Sequence, residues 1–218
     1  MIKMPNEPAS RAFPAVLPIF PLLGVLLLPR GRLPLHIFEP RYIAMVEDCL
    51  MGDHMIGMVQ PVSPESPTVY ATGCAGSITA ARSLDKGRYL ITLTGVCRFR
   101  IREELEICQG YRQVVPSWED FCGDPQEEAA GSFDRARLLD LLPCYLKLHD
   151  IEANWATIEG APDERLVTSL AMICPFEANE KQALLEAPTL AVRAGLLISL
   201  IEMALVSCQD NDRRYAWH

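Results

Sequence analysis

Arg88-Tyr89-Leu90-Ile91-Thr92-Leu93-Thr94 alternates between two faces, and past Gly95 the chain resumes with Arg98-Phe99-Arg100-Ile101-Arg102, which alternates strictly. A period of two places successive side chains on opposite faces of a strand. Tyr89, Ile91 and Leu93 therefore share one face of the first run. In the second, Phe99 and Ile101 share a face, and Arg98, Arg100 and Arg102 share the other. Asp85-Lys86-Gly87 just upstream has the composition of a hairpin turn, with Ser77 to Ser83 as the partner strand.

Outward from this hairpin, residues 17–118 are punctuated by Pro and Gly and rich in strand signals, and Tyr111 to Val115 reads as one more strand. One helix interrupts. Pro40 suits a first helical turn, Tyr42-Ile43, Met45-Val46 and Cys49-Leu50 form an apolar stripe, and Gly52 supplies the stop. Glu119 to Gly131 is polar and acidic and reads as a linker or long surface loop. From Phe133 the period becomes helical. Leu138, Leu139, Leu142 and Leu146 form a stripe that Pro143 is expected to kink or end. Glu164 to Cys174 and Glu177 to Glu186 follow, then a helix with Thr189 as N-cap and Leu190, Ala194, Leu197, Ile198, Ile201 and Leu205 on one face. The expected class is α+β: a tail (1–16), a β-rich lobe with one helix (17–118), an acidic linker or loop (119–132), a helical bundle lobe (133–208) and a second tail (209–218).

Half of the 218 residues are hydrophobic, which supports a sizeable core and excludes a disordered chain. The net charge of −8 argues against a dedicated phosphate-backbone binder. Ala12 to Pro29 follows Lys3 and Arg11 as a signal peptide would, but Pro14, Pro18 and Pro21 break it up. Ala194 to Cys208 is too short to span a bilayer and contains Glu202, so no membrane association is expected. The eight cysteines form no C-x-x-C and pair with no histidine at zinc spacing, which predicts free thiols in a cytoplasmic protein. No phosphate-binding G-x-x-x-x-G-K-[ST], G-x-S-x-G or H-E-x-x-H occurs. His36, between Leu35 and Ile37, reads as a satisfied structural histidine, and His149 as a partner of a helix C-terminus.

Three stretches carry a resemblance: Leu17-Pro18-Ile19-Phe20-Pro21-Leu22, Leu27-Leu28-Pro29-Arg30-Gly31, and Leu33 through Phe38-Glu39-Pro40-Arg41-Tyr42. Together they closely resemble the opening of the Lon protease N-terminal, or substrate-binding, domain family. Gly73 to Arg82 resembles its G-x-x-x-x-I strand, Gly95 to Ile101 its G-x-x-R-F-x-I segment, and Asp163 to Arg193 its closing helices. The resemblance implies a PUA-like pseudo-barrel lobe followed by a helical bundle, and binding of unfolded or extended protein segments or of a partner protein. A full-length Lon continues with ATPase and protease modules. With the sequence ending at His218, the expectation is a stand-alone, non-enzymatic protein-binding module in quality control, without cofactor or metal. A homodimer is left open. The alternatives are a hydrolase with a spatially assembled site and a nucleic-acid-binding PUA-like module, nucleic acid being disfavoured by charge.

Two groups of residues are candidates for contact with a peptide or partner. Arg98, Arg100 and Arg102 could hold an acidic peptide or RNA, unless neighbouring acids neutralise them. Met45, Met55 and Met58, with Met51, could line an adaptable groove, or simply fill core. Phe38, Glu39, Pro40, Arg41 and Tyr42 read as architectural. Pro40 starts the helix, Glu39 favours its positive end, and Arg41 and Tyr42 tie it to the sheet.

Overall fold

The computed structural model describes residues 13–107, 110–126 and 133–215. The chain divides into two compact units, Met1–Gln126 and Glu127–His218. Of the expected tails, linker and thiols, residues 1–12, 127–132 and 216–218 and Cys108 lie outside the described residues.

The first unit holds β1 (Leu17–Pro21), β2 (Arg32–Ile37), α1 (Pro40–Met51), β3 (Met55–Val59), β4 (Thr72–Ser83), β5 (Tyr89–Glu104) and β6 (Arg112–Ser117). The hairpin read from the sequence is the β4–β5 pair, joined by a 3-10 turn at Asp85–Gly87. The sheet order is β2-β5-β4-β3-β1-β6, and β6 pairs with β5 as well as β1. Five strands therefore close into a ring, and β2 stands outside it, paired with β5. The ring encloses Leu17, Ile19, Val59, Ala75, Phe99 and Val114. Phe99 is fully buried because Gly73 leaves it room: a Cβ there would meet the ring at 2.8 Å and Met58 O at 2.6 Å. Phe13, expected in a tail, stacks on Trp118 with ring centroids 4.5 Å apart.

α1 keeps the expected start at Pro40 and end at Gly52, and buries Tyr42, Met45, Val46 and Cys49. Within the expected acidic linker or loop, the boundary between the units falls at Gln126, and residues 119–126 belong to the first unit. Glu119–Phe121 forms a 3-10 turn, Phe121 is buried, and Asp124 is only 5% exposed. This acidic segment is docked on the β unit because Arg98 captures it, as described below.

The second unit holds α2 (Arg135–Leu148), α3 (Trp155–Glu159), α4 (Asp163–Ile173), α5 (Ala178–Glu186) and α6 (Leu190–Tyr215). Of the kink or end expected at Pro143, the end does not occur, and α2 runs on to Leu148. A mid-helix proline costs about 3 kcal/mol. Burial of Leu138, Leu142, Tyr145 and Leu146, at about 1.5–3 kcal/mol each for the aliphatic side chains, outweighs it. Arg135 at the start of α2 reaches Asp163 Oδ1 and the carbonyls of Glu159 and Ala161, fixing the α3–α4 connection to α2. α5 opens with a Glu177–Glu180 capping box, and the Thr189 hydroxyl accepts from Val192 N at the start of α6.

α6 is the central helix of this unit, packed on α2, α4 and α5. It corrects two expectations. The tail assigned to 209–218 is helical as far as Tyr215. The apolar span begins at Leu190 rather than Ala194, so Leu190–Cys208 is long and apolar enough to cross a membrane by length and composition. Its first half packs as a core helix: Leu190, Ala194, Leu197, Leu200 and Ile201 are buried, and buried Arg193 donates to the carbonyls of Leu184 and Ala187, while the apolar span as a whole is a third buried.

Candidate functional site

The Phe38–Tyr42 motif sits where β2 hands the chain to α1. Glu39 is the extended N-cap residue, yet its carboxylate does not cap the helix. It accepts instead from Arg41 Nε at 3.0 Å and Nη2 at 2.8 Å. The Arg41 guanidinium also lies 4.5 Å from the Tyr42 ring centroid. Tyr42 is the residue that ties helix to sheet, its ring 4.2 Å from that of Phe20 on β1. Arg41, expected to share that role, folds back on the helix start. Phe38 is 61% exposed.

The three arginines all meet the 119–124 segment, and they differ in exposure. Arg98 is 3% exposed and bonds Asp124 three times, through its backbone N, Nε and Nη2, each at 2.8 Å. Its guanidinium lies 4.6 Å from the Phe121 ring. Arg100 and Arg102 are exposed and pair with Asp120 at 2.5 Å and Glu119 at 3.1 Å. Cys97, Arg98 and Phe99 are all buried, the strand being covered on both faces where the 119–124 segment crosses it. Each arginine is thus met by an acid from that segment, and Arg98 is withdrawn from any contact with a ligand.

The methionines also separate. Met45 and Met58 are core residues, 0% and 3% exposed, the second of the two readings offered for them. Met51 is 82% exposed. Met55 is half-buried and lines a cleft of about 210 Å³ with Pro14, Val16, Pro18, Asp53 and Tyr111. Tyr111 donates from its hydroxyl to Asp48 at 2.8 Å across the cleft wall. The cleft combines apolar walls with two carboxylates and is too small to hold more than one or two side chains.

His36 is exposed, not the buried structural histidine expected of an apolar strand. The reason is the register of β2, which turns Leu35 and Ile37 into the core and Arg32, Pro34 and His36 to solvent. Alternation in Arg32-Leu33-Pro34-Leu35-His36-Ile37 was the available signal. His149 caps the C-terminus of α2, as expected, and its ring lies 4.5 Å from that of Tyr145. Burial pushes the thiols of Cys49, Cys97 and Cys174 up to about 12, which keeps them protonated and unreactive at neutral pH. Among the described residues of the helical unit, Val192, Met203 and Val206 on α6 and Ile173 on α4 are the large apolar side chains more than half exposed. Among the described residues, no group of three His, Cys, Asp or Glu side chains could hold a metal ion. The arrangement offers surfaces for protein contact, and Arg98, Arg100 and Arg102 are each paired with an acid.

Comparison with known proteins agrees with this character. The chain is 34% identical over 181 residues to a Lon protease of Dictyoglomus thermophilum, covering 81% of this chain and 23% of that protein. It is 25% identical over 195 residues to Lon protease 2 of Myxococcus xanthus, covering 86% and 24%. The chain thus spans about a quarter of the length of these relatives. A crystal structure of a Lon N-terminal domain protein from Xanthomonas campestris shares the fold, with a TM-score of 0.60 at 22% identity over 84% of this chain and 97% of that one. The N-terminal domain of Mycobacterium avium complex Lon protease gives 0.59 at 15% identity, over 86% and 98%. Residues 16–203 match the ATP-dependent protease La (LON) substrate-binding domain, and the chain belongs to that family.

Proposed function

We propose that this domain is a non-catalytic module that captures extended, apolar protein segments, or a partner presenting one, in cytoplasmic protein quality control. The observation that carries the reading is the match to a substrate-binding domain over nearly all of both units. The exposed apolar side chains of α6 and the Met55 cleft supply the kind of surface such capture needs. In this reading the closed β ring works as a PUA-like pseudo-barrel that serves protein rather than RNA. Pairing of Arg98, Arg100 and Arg102 with Asp124, Asp120 and Glu119 supports that choice, since neutralised arginines offer little to a phosphate backbone.

Burial of a few hundred Å² at about 25 cal/mol per Å² offsets ordinary association costs and leaves binding of roughly micromolar strength. The test is a titration of a reduced, carbamidomethylated globular protein against the purified chain at low and high salt. Binding that survives high salt, without ATP-dependent cleavage of the bound protein, is the expected result. Binding lost as salt rises would transfer the function to exposed charges, because screening shortens their reach.

A further inference from the structure

β2 offers a strand edge as well as an exposed face. Among the described strands it pairs only with β5. Gly95 N donates to Gly31 O just before β2 begins, which places Gly31 on the bonded side of the ladder. With the antiparallel alternation of bonded and non-bonded pairs, Leu33, Leu35 and Ile37 then bond β5. Arg32, Pro34 and His36 turn their main-chain groups to the open edge. Pro34 fits this assignment, since a strand proline belongs where its missing N–H faces outward. The edge therefore presents the N–H groups of Arg32 and His36 and the carbonyls of all three residues.

The side chains beside that edge form an open face. Across the sheet, Arg32 is in register with Thr94 and Ser77, Pro34 with Thr92 and Ala80, and His36 with Leu90 and Arg82. These rows contain no carboxylate. Among the described residues, neither Arg32 nor Arg82 has an ion-pair partner. Arg41, Arg98, Arg100, Arg102 and Arg112 of the same unit each hold an acid. In a chain of net charge −8, this is a local cationic and apolar face next to unpaired main-chain donors.

A second copy of β2 fits the edge poorly. Antiparallel pairing centred on Pro34 would face two carbonyls with no donor between them and set Arg32 against His36. An acidic, extended segment fits it well. We propose that the free edge of β2 accepts an extended protein segment as an added antiparallel strand, and that Arg32 selects a segment with a carboxylate opposite it. This rests on the reading of the domain as a binder of extended segments, and it names the place and the charge of what is bound. Main-chain bonds supply affinity that salt leaves largely unchanged. The exposed cross-strand pair adds a preference of about threefold, which salt removes.

The probes are short peptides of alternating threonine and valine carrying one central glutamate, the same peptide with lysine, and the glutamate peptide N-methylated on its edge-facing amides. Hydrogen exchange is read on the full chain, with the peptides and with the unfolded protein of the preceding titration. Expected are new protection of the Arg32 and His36 amides by the glutamate peptide, a roughly threefold preference for glutamate over lysine at low salt, and at least tenfold loss on N-methylation. Arg32→Glu, at an exposed position, should reverse the preference while keeping the fold. Binding of the unfolded protein without protection at Arg32 and His36 overturns this inference and leaves the general reading standing. No binding of any probe overturns both. Protection of the edge by a single-stranded oligonucleotide but not by peptide overturns the choice of a protein segment, as does a charge preference that Arg32→Glu leaves unchanged.

Discussion

Replacing Asp124 with alanine should unfold the β unit at much lower denaturant. The carboxylate takes three bonds from Arg98, and the Asp124 carbonyl takes a further one from Arg30 Nη1 at 2.5 Å. Asp124→Ala leaves the Arg98 guanidinium, 3% exposed, charged and without its counter-ion. Removing one partner of a buried pair costs about 3–5 kcal/mol, most of it the burden of the stranded charge. With a urea m-value of about 2 kcal/mol per M, the midpoint should fall by roughly 1.5–2.5 M. The assay is urea unfolding of the full chain followed by tryptophan emission, since Trp118 packs on Phe99 beside Arg98. Asp120→Ala is the internal control: its pair with Arg100 is more than half exposed, and its loss should cost less than about 1 kcal/mol. Replacing Arg98 and Asp124 together by Met and Leu should recover most of the loss, because no charge is stranded. Equal, small effects of Asp124→Ala and Asp120→Ala would refute the argument and return the 119–126 segment to the status of a linker.

Stability should fall above pH 9. Cys49, Cys97 and Cys174 ionise near 9 when unfolded and near 12 when folded, so their contribution is complete below pH 9 and is lost as pH rises towards 12. The slope is about 1.4 kcal/mol per pH unit for each thiol, and Cys49→Ala should flatten the measured curve by that amount. The buried Tyr42 and Tyr145 phenols, also raised, act in the same sense, and the buried Lys181 ammonium, lowered, acts against them. Gly95→Ala should cost about 3 kcal/mol in the same urea assay, since the new Cβ would lie 2.0 Å from Leu28 O, whereas Gly123→Ala meets nothing within 4 Å and should be nearly neutral. Alkylation of the native protein followed by mass spectrometry should modify exposed Cys122 and Cys144 first and Cys49, Cys74, Cys97 and Cys174 only on unfolding. Under denaturing, non-reducing conditions all eight thiols should react.

What could be read from the sequence was what local chemistry decides. Pro40 and Gly52 bound α1 as their backbone preferences require, and Asp85-Lys86-Gly87 turns the β4–β5 hairpin. What escaped was decided by residues far away in the chain. Strict alternation puts Arg98, Arg100 and Arg102 on one face, and only Asp124, 26 residues on, decides that Arg98 is covered there while its two neighbours remain exposed. Pro143 marks a helix end by its local cost, and only the packed leucines around it show why the helix continues. The methionines look alike in sequence, yet position on α1 or β3 alone sends Met45 and Met58 inward and leaves Met51 exposed. The family opening drew the eye to Phe38–Tyr42, read from the sequence as architectural, and this stretch lies at the junction between β2 and α1. The informative pattern lay just before it, in the alternation of β2.

The closure of the β ring also governs how this unit can fold. β1 lies between β3 and β6, with Leu17 opposite Val114, so one of the first strands made must wait for the last before its second edge is covered. The same late strand covers the far half of β5, from Arg100 to Glu104. Until Arg112–Ser117 arrives, both strands expose unpaired main chain, the condition under which chains associate wrongly. Long-range closure of this kind slows folding. The β4–β5 hairpin, whose partners are near neighbours, is the natural nucleus, and any fragment ending before Ser117 should be prone to aggregate.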